Sequence, residues 1–500
     1  MEHTNITARE IRLFAILALV AGIIFDYLFF GKAIGVSYPL FVAVFYCVFW
    51  VASHKRVSFQ IDFGWFLFIP ILLLSAAFAI HSNPVLLARN FVLIPLLLLV
   101  QTTLLVYGYE WSSVRCVSRF IGRLIRQFFD NAPKVFLEVI SLAKVAYRIA
   151  PEKRKTLRSI FIGLIISAPL LVIVIALLAE ADTVFQNVIA DIFKLLESIG
   201  SIPLAEHVGV IGIITVLLFG YLAVVLKAEV EGVSVPVERG TGGWDATIVV
   251  TVLVMVNAVY ILFCGIQFTY LFGGEEVIRS IPDYTYAEYA RRGFSELIVV
   301  TVINLSILLI GLHVTKNDGK LGRLVLVLRC LLVLCTAIML YSAHLRLKLY
   351  EEAYGYTYAR IFAHTFIGLL FVLFMLTLYK FWRREFPLLK AFAIAALLTY
   401  TTLNYANVDA IIARNNIDRY VNTGKIDLEY LQELSYDAIP ELARLRVTGD
   451  DDMAAKTITV FLRDKGTELR SESPWQSYNL SKSKAKRILS QIQDYRELDK

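Results

Sequence analysis

Long apolar segments recur along this chain, and they restrict it to one class of fold. We count eleven runs of about 18 to 25 predominantly apolar residues, each long enough to cross a hydrocarbon core of about 30 Å as a helix. Backbone polar groups find no partner in lipid, so such a run must pair them internally by forming a helix. Hydrophobic residues make up 58% of the chain and the mean hydropathy is +0.65, well above the balance of a soluble domain. We therefore predict an all-α, polytopic transmembrane helix bundle.

The apolar runs also predict where each span begins and ends, to within about two to four residues. The predicted spans are residues 11–30, 35–52, 63–80, 85–106, 160–178, 208–226, 247–272, 297–313, 321–343, 362–379 and 388–405. No small-residue cleavage site follows the first run, so we expect it to be retained as an anchor.

Basic residues in the short loops predict the orientation, because loops rich in Lys and Arg tend to stay in the cytoplasm. Such groups precede the first span and follow the second, fourth, eighth and tenth, which places them all on one side of an eleven-span alternation. We therefore expect the N terminus inside and the C terminus outside. This bias also accounts for a net charge of +7, so the charge gives no reason to expect a nucleic-acid partner.

Composition predicts four regions. They are N-terminal transmembrane helices at residues 1–110, a basic amphipathic cytoplasmic segment at 111–158, a core transmembrane bundle at 159–405 and a small helical extracytoplasmic domain at 406–500. The basic segment carries arginines that share one helical face, which is typical of a helix lying on an anionic membrane surface. These are Arg115, Arg119, Arg123 and Arg126. A regulatory or partner-binding helix is the alternative. In the C-terminal region, Asp427 is expected to cap a helix and Gly424 to end one.

Three polar clusters at predicted outer ends of spans are candidate ligand sites. They consist of Tyr286, Glu288, Tyr289, Arg291 and Arg292, then Glu351, Tyr354 and Arg360, and finally Asp409, Asn416 and Arg419. We expect the second cluster to lie between the ninth and tenth spans. We expect the third on a helix that continues from the eleventh span, with Tyr405 on the same face. Converging guanidinium groups would bind a phosphate or carboxylate. Alternatively, these residues form interhelical salt bridges and an interfacial aromatic belt.

A second set of candidates is polar and lies within the predicted spans. It consists of Asp26, Asn257, Asn304, His364 and Asn404. Ionisable groups at such depths are functional candidates, whereas asparagines and a lone histidine also serve as interhelical hydrogen-bonding groups. The five cysteines show no metal or redox spacing, and no pattern assigns a catalytic residue, a metal or a cofactor.

Several of these motifs resemble one known family. The stretches "YAEYARRGFSEL", "LYEEAYGYTYARI" and "NVDAIIARNNIDR", with "SPWQSYNLSKSKA" carrying Trp475, Asn479 and Ala485, are similar to signatures of bacterial polytopic membrane proteins known only as a domain of unknown function. The resemblance covers roughly residues 160–500. It implies a helical fold and a location in the bacterial cytoplasmic membrane, and it implies no activity.

Together these features predict a protein that binds an anionic envelope ligand, either a lipid headgroup or a small anion, at its outer face, with transport as the consequence. One alternative is a membrane sensor or scaffold whose outer domain binds a partner. Another is a membrane enzyme acting on a lipid-linked substrate. The expected partner is the lipid bilayer, and the sequence assigns no protein partner.

Overall fold

A computed structural model describes residues 8–53, 63–107, 188, 203–227, 246–272, 294–314, 319–383, 385–445, 453–470 and 473–497. Within these ranges every regular element is an α-helix or a short 3-10 helix, and no strand occurs. This confirms the all-α prediction. The chain divides into two compact units, the first comprising Met1–Ala79, Val92–Val233 and Ser473–Tyr478, and the second Ile80–Phe91, Ser234–Glu472 and Asn479–Lys500.

We number the helices in chain order among the described residues. The first six are α1 (Ala8–Phe29), α2 (Ser37–Ala52), α3 (Phe63–Phe66), α4 (Phe68–Ile80), α5 (Pro84–Tyr107) and α6 (Pro203–Lys227). In the first unit α1 packs against α2 and α6. Their shared core consists of residues such as Phe14, Ala18, Val48, Phe219 and Leu222.

The second unit contains the remaining α-helices of the described residues. They are α7 (Ala246–Phe272), α8 (Phe294–Val314), α9 (Gly319–Tyr354), α10 (Tyr358–Trp382), α11 (Leu388–Tyr405), α12 (Val408–Thr423), α13 (Leu428–Gln432), α14 (Ile439–Leu445), α15 (Met453–Glu468) and α16 (Leu480–Glu497). Helix α9 packs against α7, α8 and α10, and α10 packs against α11. Helices α12 to α16 enclose a second apolar core that also includes Leu86, and Phe362 packs against it.

Helices occupy ten of the eleven predicted spans, and the fifth, residues 160–178, lies outside the described residues. Six helical segments in the described part of the chain are long and apolar enough to cross a membrane. They are Arg9–Phe29, Phe63–Ile80, Pro84–Val106, Thr247–Ile266, Lys320–Tyr354 and Tyr358–Trp382. Shorter apolar helices lie at Ser37–Ala52, Glu206–Leu222 and Ser295–Gly311. The fold is therefore a polytopic helical bundle, while the number of spans and their orientation stay predictions.

Two predicted spans differ in detail from the helices found. The third is interrupted at Leu67, because Pro70 has no N–H to donate to the carbonyl group of Phe66. The ninth was expected to end at residue 343, whereas α9 is 36 residues long and ends at Tyr354. The extension continues the buried face of the helix at Leu347 and Glu351. The second polar cluster therefore begins on a helix and not in a loop.

The expectation of one continuous helix after the eleventh span is wrong. Helix α11 ends at Tyr405, and Asn407 adopts a left-handed conformation with φ 50° before α12 begins. The Asn407 side chain accepts a hydrogen bond from the Ala410 amide and so caps α12. Asp409 and Tyr405 therefore lie on different helices. The predicted cap at Asp427 and the helix end at Gly424 are both present.

Candidate functional site

The turn between α9 and α10 is held by a side chain of α12. Gly355 has φ 86°, and a Cβ atom there would lie 2.5 Å from Oδ1 of Asn416. That oxygen accepts a hydrogen bond from the Tyr356 amide at 2.9 Å, and Nδ2 of Asn416 donates to the Tyr356 carbonyl group, also at 2.9 Å. The Asn416 side chain thus makes the same pair of hydrogen bonds with Tyr356 that the backbone of a neighbouring β-strand would make. Only glycine fits at position 355, next to this side chain.

The two arginines predicted to bind an anion, Arg360 and Arg419, both contact this turn. Arg419 donates from Nε to the carbonyl oxygen of Glu352 at 2.8 Å and from Nη2 to that of Ala353 at 2.6 Å. These are carbonyl groups that the end of α9 leaves without an intrahelical partner. Arg360 donates to the carbonyl group of the turn glycine and lies over the Tyr350 ring, 4.1 Å from its centroid. Both guanidinium groups therefore stabilise the turn, and a role in anion binding stays a prediction.

Asp409, another predicted ligand residue, lies in a buried hydrogen-bond network. It is 1% exposed. Its carboxylate accepts from Asn83 Nδ2 at 2.5 Å, from the Ser435 amide at 3.0 Å and from the Tyr358 hydroxyl group. Three donors leave little capacity for an external ligand. The network joins the segment after α4 to α10 and α12, across more than 300 residues of sequence.

The neighbouring carboxylate, Asp437, anchors the same segment. Its Oδ2 accepts from the Ser82 amide at 2.5 Å and from the Ser82 hydroxyl group at 2.9 Å, and its Oδ1 lies 3.3 Å from Nδ1 of His81. Asn479, at the start of the last helix, donates to the His81 carbonyl group at 2.7 Å. Burial alone would raise the pKa of Asp437, but the hydrogen bonds from His81 and Ser82 lower that pKa below its ordinary value.

A pocket lies between α9 and α10. Its volume is about 690 Å³, within the range of small-molecule sites. The lining residues that carry polar groups are Tyr341, His344, Lys348, Glu351, Tyr356 and His364. Apolar side chains of both helices complete the walls. We call this the α9–α10 pocket.

Three titratable side chains in the α9–α10 pocket form a continuous chain. Nε2 of His364 lies 2.9 Å from Oε2 of Glu351, and Nδ1 of His364 lies 3.1 Å from Nδ1 of His344. Glu351 is 3% exposed, and its second oxygen, Oε1, makes no hydrogen bond within the described part of the chain. We call these residues the Glu351–His364–His344 chain. A buried carboxylate with one unpaired oxygen is costly in a protein interior.

Lys348 supplies the fixed positive charge of this pocket. Its ammonium nitrogen lies 3.9 Å from a carboxylate oxygen of Glu352, four residues along α9. Both side chains are more than half exposed, so this ion pair is weak. The Lys348 ammonium group can therefore still bind a ligand.

The predicted intramembrane residues fall into two groups. Asn257 bonds to the Leu328 carbonyl group at 3.0 Å, Asn304 to Thr336 at 2.9 Å, and Asn404 to Asn90 at 2.6 Å. Each of these hydrogen bonds links two helices. In the first unit, the ionisable Asp26 lies 2.7 Å from Nδ1 of His207, which joins α1 to α6.

The structure brings together part of the predicted site. Glu351 and His364 meet in the α9–α10 pocket, and Arg360, Asn416 and Arg419 meet at the adjoining turn. Tyr354 is half exposed at the end of α9. The residues that lie outside the described ranges are Tyr286, Glu288, Tyr289, Arg291, Arg292, Arg115, Arg119, Arg123 and Arg126.

His344, Lys348 and Tyr356 lie in the sequence stretch of the second polar cluster, but they were not among the predicted ligand residues. The signal was present, because residues 344, 348 and 351 have helical spacing and share one face once α9 is extended. Asn83, Asp437 and His207 had no comparable local signal. Among the described residues, no group of three or more His, Cys, Asp or Glu side chains is placed to hold a metal ion.

Comparison with curated proteins and with solved structures gives no match. A family model described as a domain of unknown function, DUF4153, matches residues 68–445, which is more than half of the chain. The match begins near the start of α4, earlier than the resemblance in the motifs had indicated, and ends at the close of α14. This polytopic helical membrane protein belongs to the DUF4153 family of unknown function.

Proposed function

We propose that this protein is a multi-pass protein of the bacterial cytoplasmic membrane that binds an anionic ligand in the α9–α10 pocket, with transport as the consequence. The observation that supports this proposal is the pocket itself. It combines a volume suited to a small molecule with a weakly paired lysine and two imidazole groups in its lining.

The chemistry of the lining favours an anion with phosphate or carboxylate groups. Lys348 is a point charge that binds such groups from several directions. The Glu351 carboxylate lies 2.9 Å from Nε2 of His364, so a proton bound by this pair would cancel the carboxylate charge and leave the charge of Lys348 available to an anion. An anionic lipid headgroup and a small anion in solution share this chemistry.

The position of the pocket supports transport. Its walls are α9 and α10, which both contain candidate membrane spans. Ionisable side chains between membrane-spanning helices are rare because of their cost, and they commonly line the path of a substrate or ion.

Equilibrium binding to the full-length protein tests this proposal. In nanodiscs of phosphatidylcholine, we expect inorganic phosphate to bind the wild type in a calorimetric titration. Lys348→Ala should weaken binding by about tenfold or more, because a charge-assisted contact is lost. Lys425→Ala is the matched control, since Lys425 is exposed and lies outside the pocket, and it should bind as the wild type does.

A second arm distinguishes the two sources of the anion. If the ligand is a lipid headgroup, wild-type protein in phosphatidylcholine nanodiscs should retain added phosphatidylglycerol, and Lys348→Ala should lose it, as measured by native mass spectrometry. Failure of the wild type to bind either phosphate or phosphatidylglycerol would contradict the proposal. Equal binding by wild type and Lys348→Ala would also contradict it.

A further inference from the structure

We propose that the Glu351–His364–His344 chain is a proton-binding site that takes up one proton together with the anion. The proton site rests on the geometry of the three side chains, and only its link to an anion rests on the proposed function. The supporting observations are the two contacts of 2.9 and 3.1 Å and the buried, half-paired carboxylate of Glu351.

Each contact in the chain holds one proton, which limits the chain to a small set of states. In the first state, Nδ1–H of His344 donates to Nδ1 of His364, and Nε2–H of His364 donates to the Glu351 carboxylate. Both imidazole groups are neutral. The chain then carries one negative charge, and Nε2 of His344 has a free lone pair.

A second state keeps both hydrogen bonds and holds one more proton. A proton from water binds to Nε2 of His344, and the proton on Nδ1 of His344 transfers to Nδ1 of His364. His364 is then an imidazolium that donates to Glu351 on one side and to His344 on the other. The chain has no net charge, so uptake of one proton costs no hydrogen bond.

The exposure of the three residues gives the direction of entry. His344 is exposed and lines the pocket, so its second ring nitrogen is the accessible end. Glu351 is the buried end. A buried carboxylate that lacks a second partner favours a cationic neighbour, and this stabilises the state with the additional proton.

Other charged groups around the Glu351–His364–His344 chain affect how readily it takes up a proton. On α9 these are Lys348 and Glu352, and from α12 Arg419 lies near Tyr356. Arg360 of α10 is directed to the turn. Helices α7 and α8, which also pack on α9, place no described residue in the pocket lining. Lys348 opposes proton uptake, because like charges repel.

An anion bound at Lys348 removes this opposition. Its negative charge offsets the ammonium group, so the imidazolium state becomes more stable. By linkage, the proton strengthens anion binding by the same factor. The chain and Lys348 therefore bind a proton and an anion together.

Nitrogen NMR of the histidine rings tests the proton site without any ligand. The protein has 7 histidines. Full-length protein labelled with ¹⁵N only in histidine can be studied in phosphatidylcholine liposomes, and the variants His344→Asn and His364→Asn assign the signals of these two residues. Between about pH 8 and about pH 5, we expect His344 and His364 to titrate together as one coupled step. Glu351→Gln should lower the midpoint by about one pH unit or more, because no carboxylate then stabilises the imidazolium. The control Glu352→Gln changes an exposed neighbour and should have a much smaller effect.

Separate titration of the two histidines, or an unchanged midpoint in Glu351→Gln, would overturn the proton site. Adding inorganic phosphate should raise the midpoint in the wild type and leave it unchanged in Lys348→Ala. A coupled step that phosphate does not move would refute the link to the anion and leave the proton site standing. Phosphate binding without a coupled step would refute the proton site and leave the anion site standing.

Discussion

Asp409 is a single residue on which several helices depend. Its carboxylate receives hydrogen bonds from residues of α10, of the loop before α14 and of the segment after α4. Each of these donors is buried or partly buried. Removing the acceptor leaves them without a partner and without full access to water.

Asp409→Ala should therefore destabilise the protein by about 3 kcal/mol or more, since each unpaired buried donor costs about 1 to 3 kcal/mol. Asp418→Ala is the control, because Asp418 is exposed on the same helix and its loss should cost within about 0.5 kcal/mol. The thermal unfolding midpoint in detergent measures both. A midpoint for Asp409→Ala equal to that of the control would contradict the network described.

The lowered pKa of Asp437 predicts that the stability of the protein depends on pH. The pKa of Asp437 in the folded protein lies below the ordinary value of 3.8, so its carboxylate stabilises the fold above that pH. The stabilisation is lost as the pH falls through the lowered pKa. The difference in unfolding midpoint between wild type and Asp437→Asn should be present at about pH 5 and shrink below about pH 4. Asp464→Asn changes an exposed residue on α15 and should have the same unfolding midpoint as wild type at each pH. A difference in midpoint between wild type and Asp437→Asn that grows in acid would contradict the lowered pKa of Asp437.

At the level of elements, the turn after α9 depends on one glycine. Gly355→Ala places a Cβ atom 2.5 Å from Oδ1 of Asn416 at a positive φ, so both the backbone and the Asn416 side chain must shift. We expect a loss of about 2 kcal/mol or more of stability. Gly212→Ala, inside α6 with open space around it, should be neutral or stabilising by up to about 1 kcal/mol. Thermal midpoints that rank the two variants the other way would show that the turn differs from this description.

The elements also show how much the sequence could predict. Apolar runs and local caps located most helices, such as Leu388–Tyr405 and the ends set by Gly424 and Asp427, because those signals are local. The last eleven residues of α9 were missed because their burial comes from packing against other helices. The pairing of Asn83 with Asp409 was also missed, since no local pattern connects residues so far apart.

For the candidate site, the sequence identified Glu351 and His364 separately and for different reasons. Their contact depends on how α9 and α10 pack and on the turn that Gly355 permits. Arg360 and Arg419 were chosen for their charge, and their backbone partners could be seen only once the end of α9 was known. The pair of Asp26 and His207 likewise needed the packing of α1 on α6.

At the level of the whole molecule, the orientation in the membrane is a prediction that labelling can test. In a version without native cysteines, Lys425→Cys and Asp464→Cys place single thiols on exposed positions of the C-terminal helical region. If the C terminus is outside, both should react with a membrane-impermeant maleimide in intact spheroplasts. Lys55→Cys, in the basic loop after the second predicted span, should react only after permeabilisation. The reverse pattern would contradict the predicted topology.

If the α9–α10 pocket holds an anion, that anion should protect a thiol in the pocket lining from chemical labelling. Tyr341→Cys places a thiol in the pocket lining, and Leu324→Cys places one on an exposed face of the same helix outside the pocket. Both would be made without the five native cysteines, and their rates of maleimide labelling measured against inorganic phosphate or phosphatidylglycerol. We expect one of these anions to slow labelling of Tyr341→Cys in proportion to its occupancy and to leave labelling of Leu324→Cys unchanged. Equal rates at Tyr341→Cys with and without either anion would contradict it.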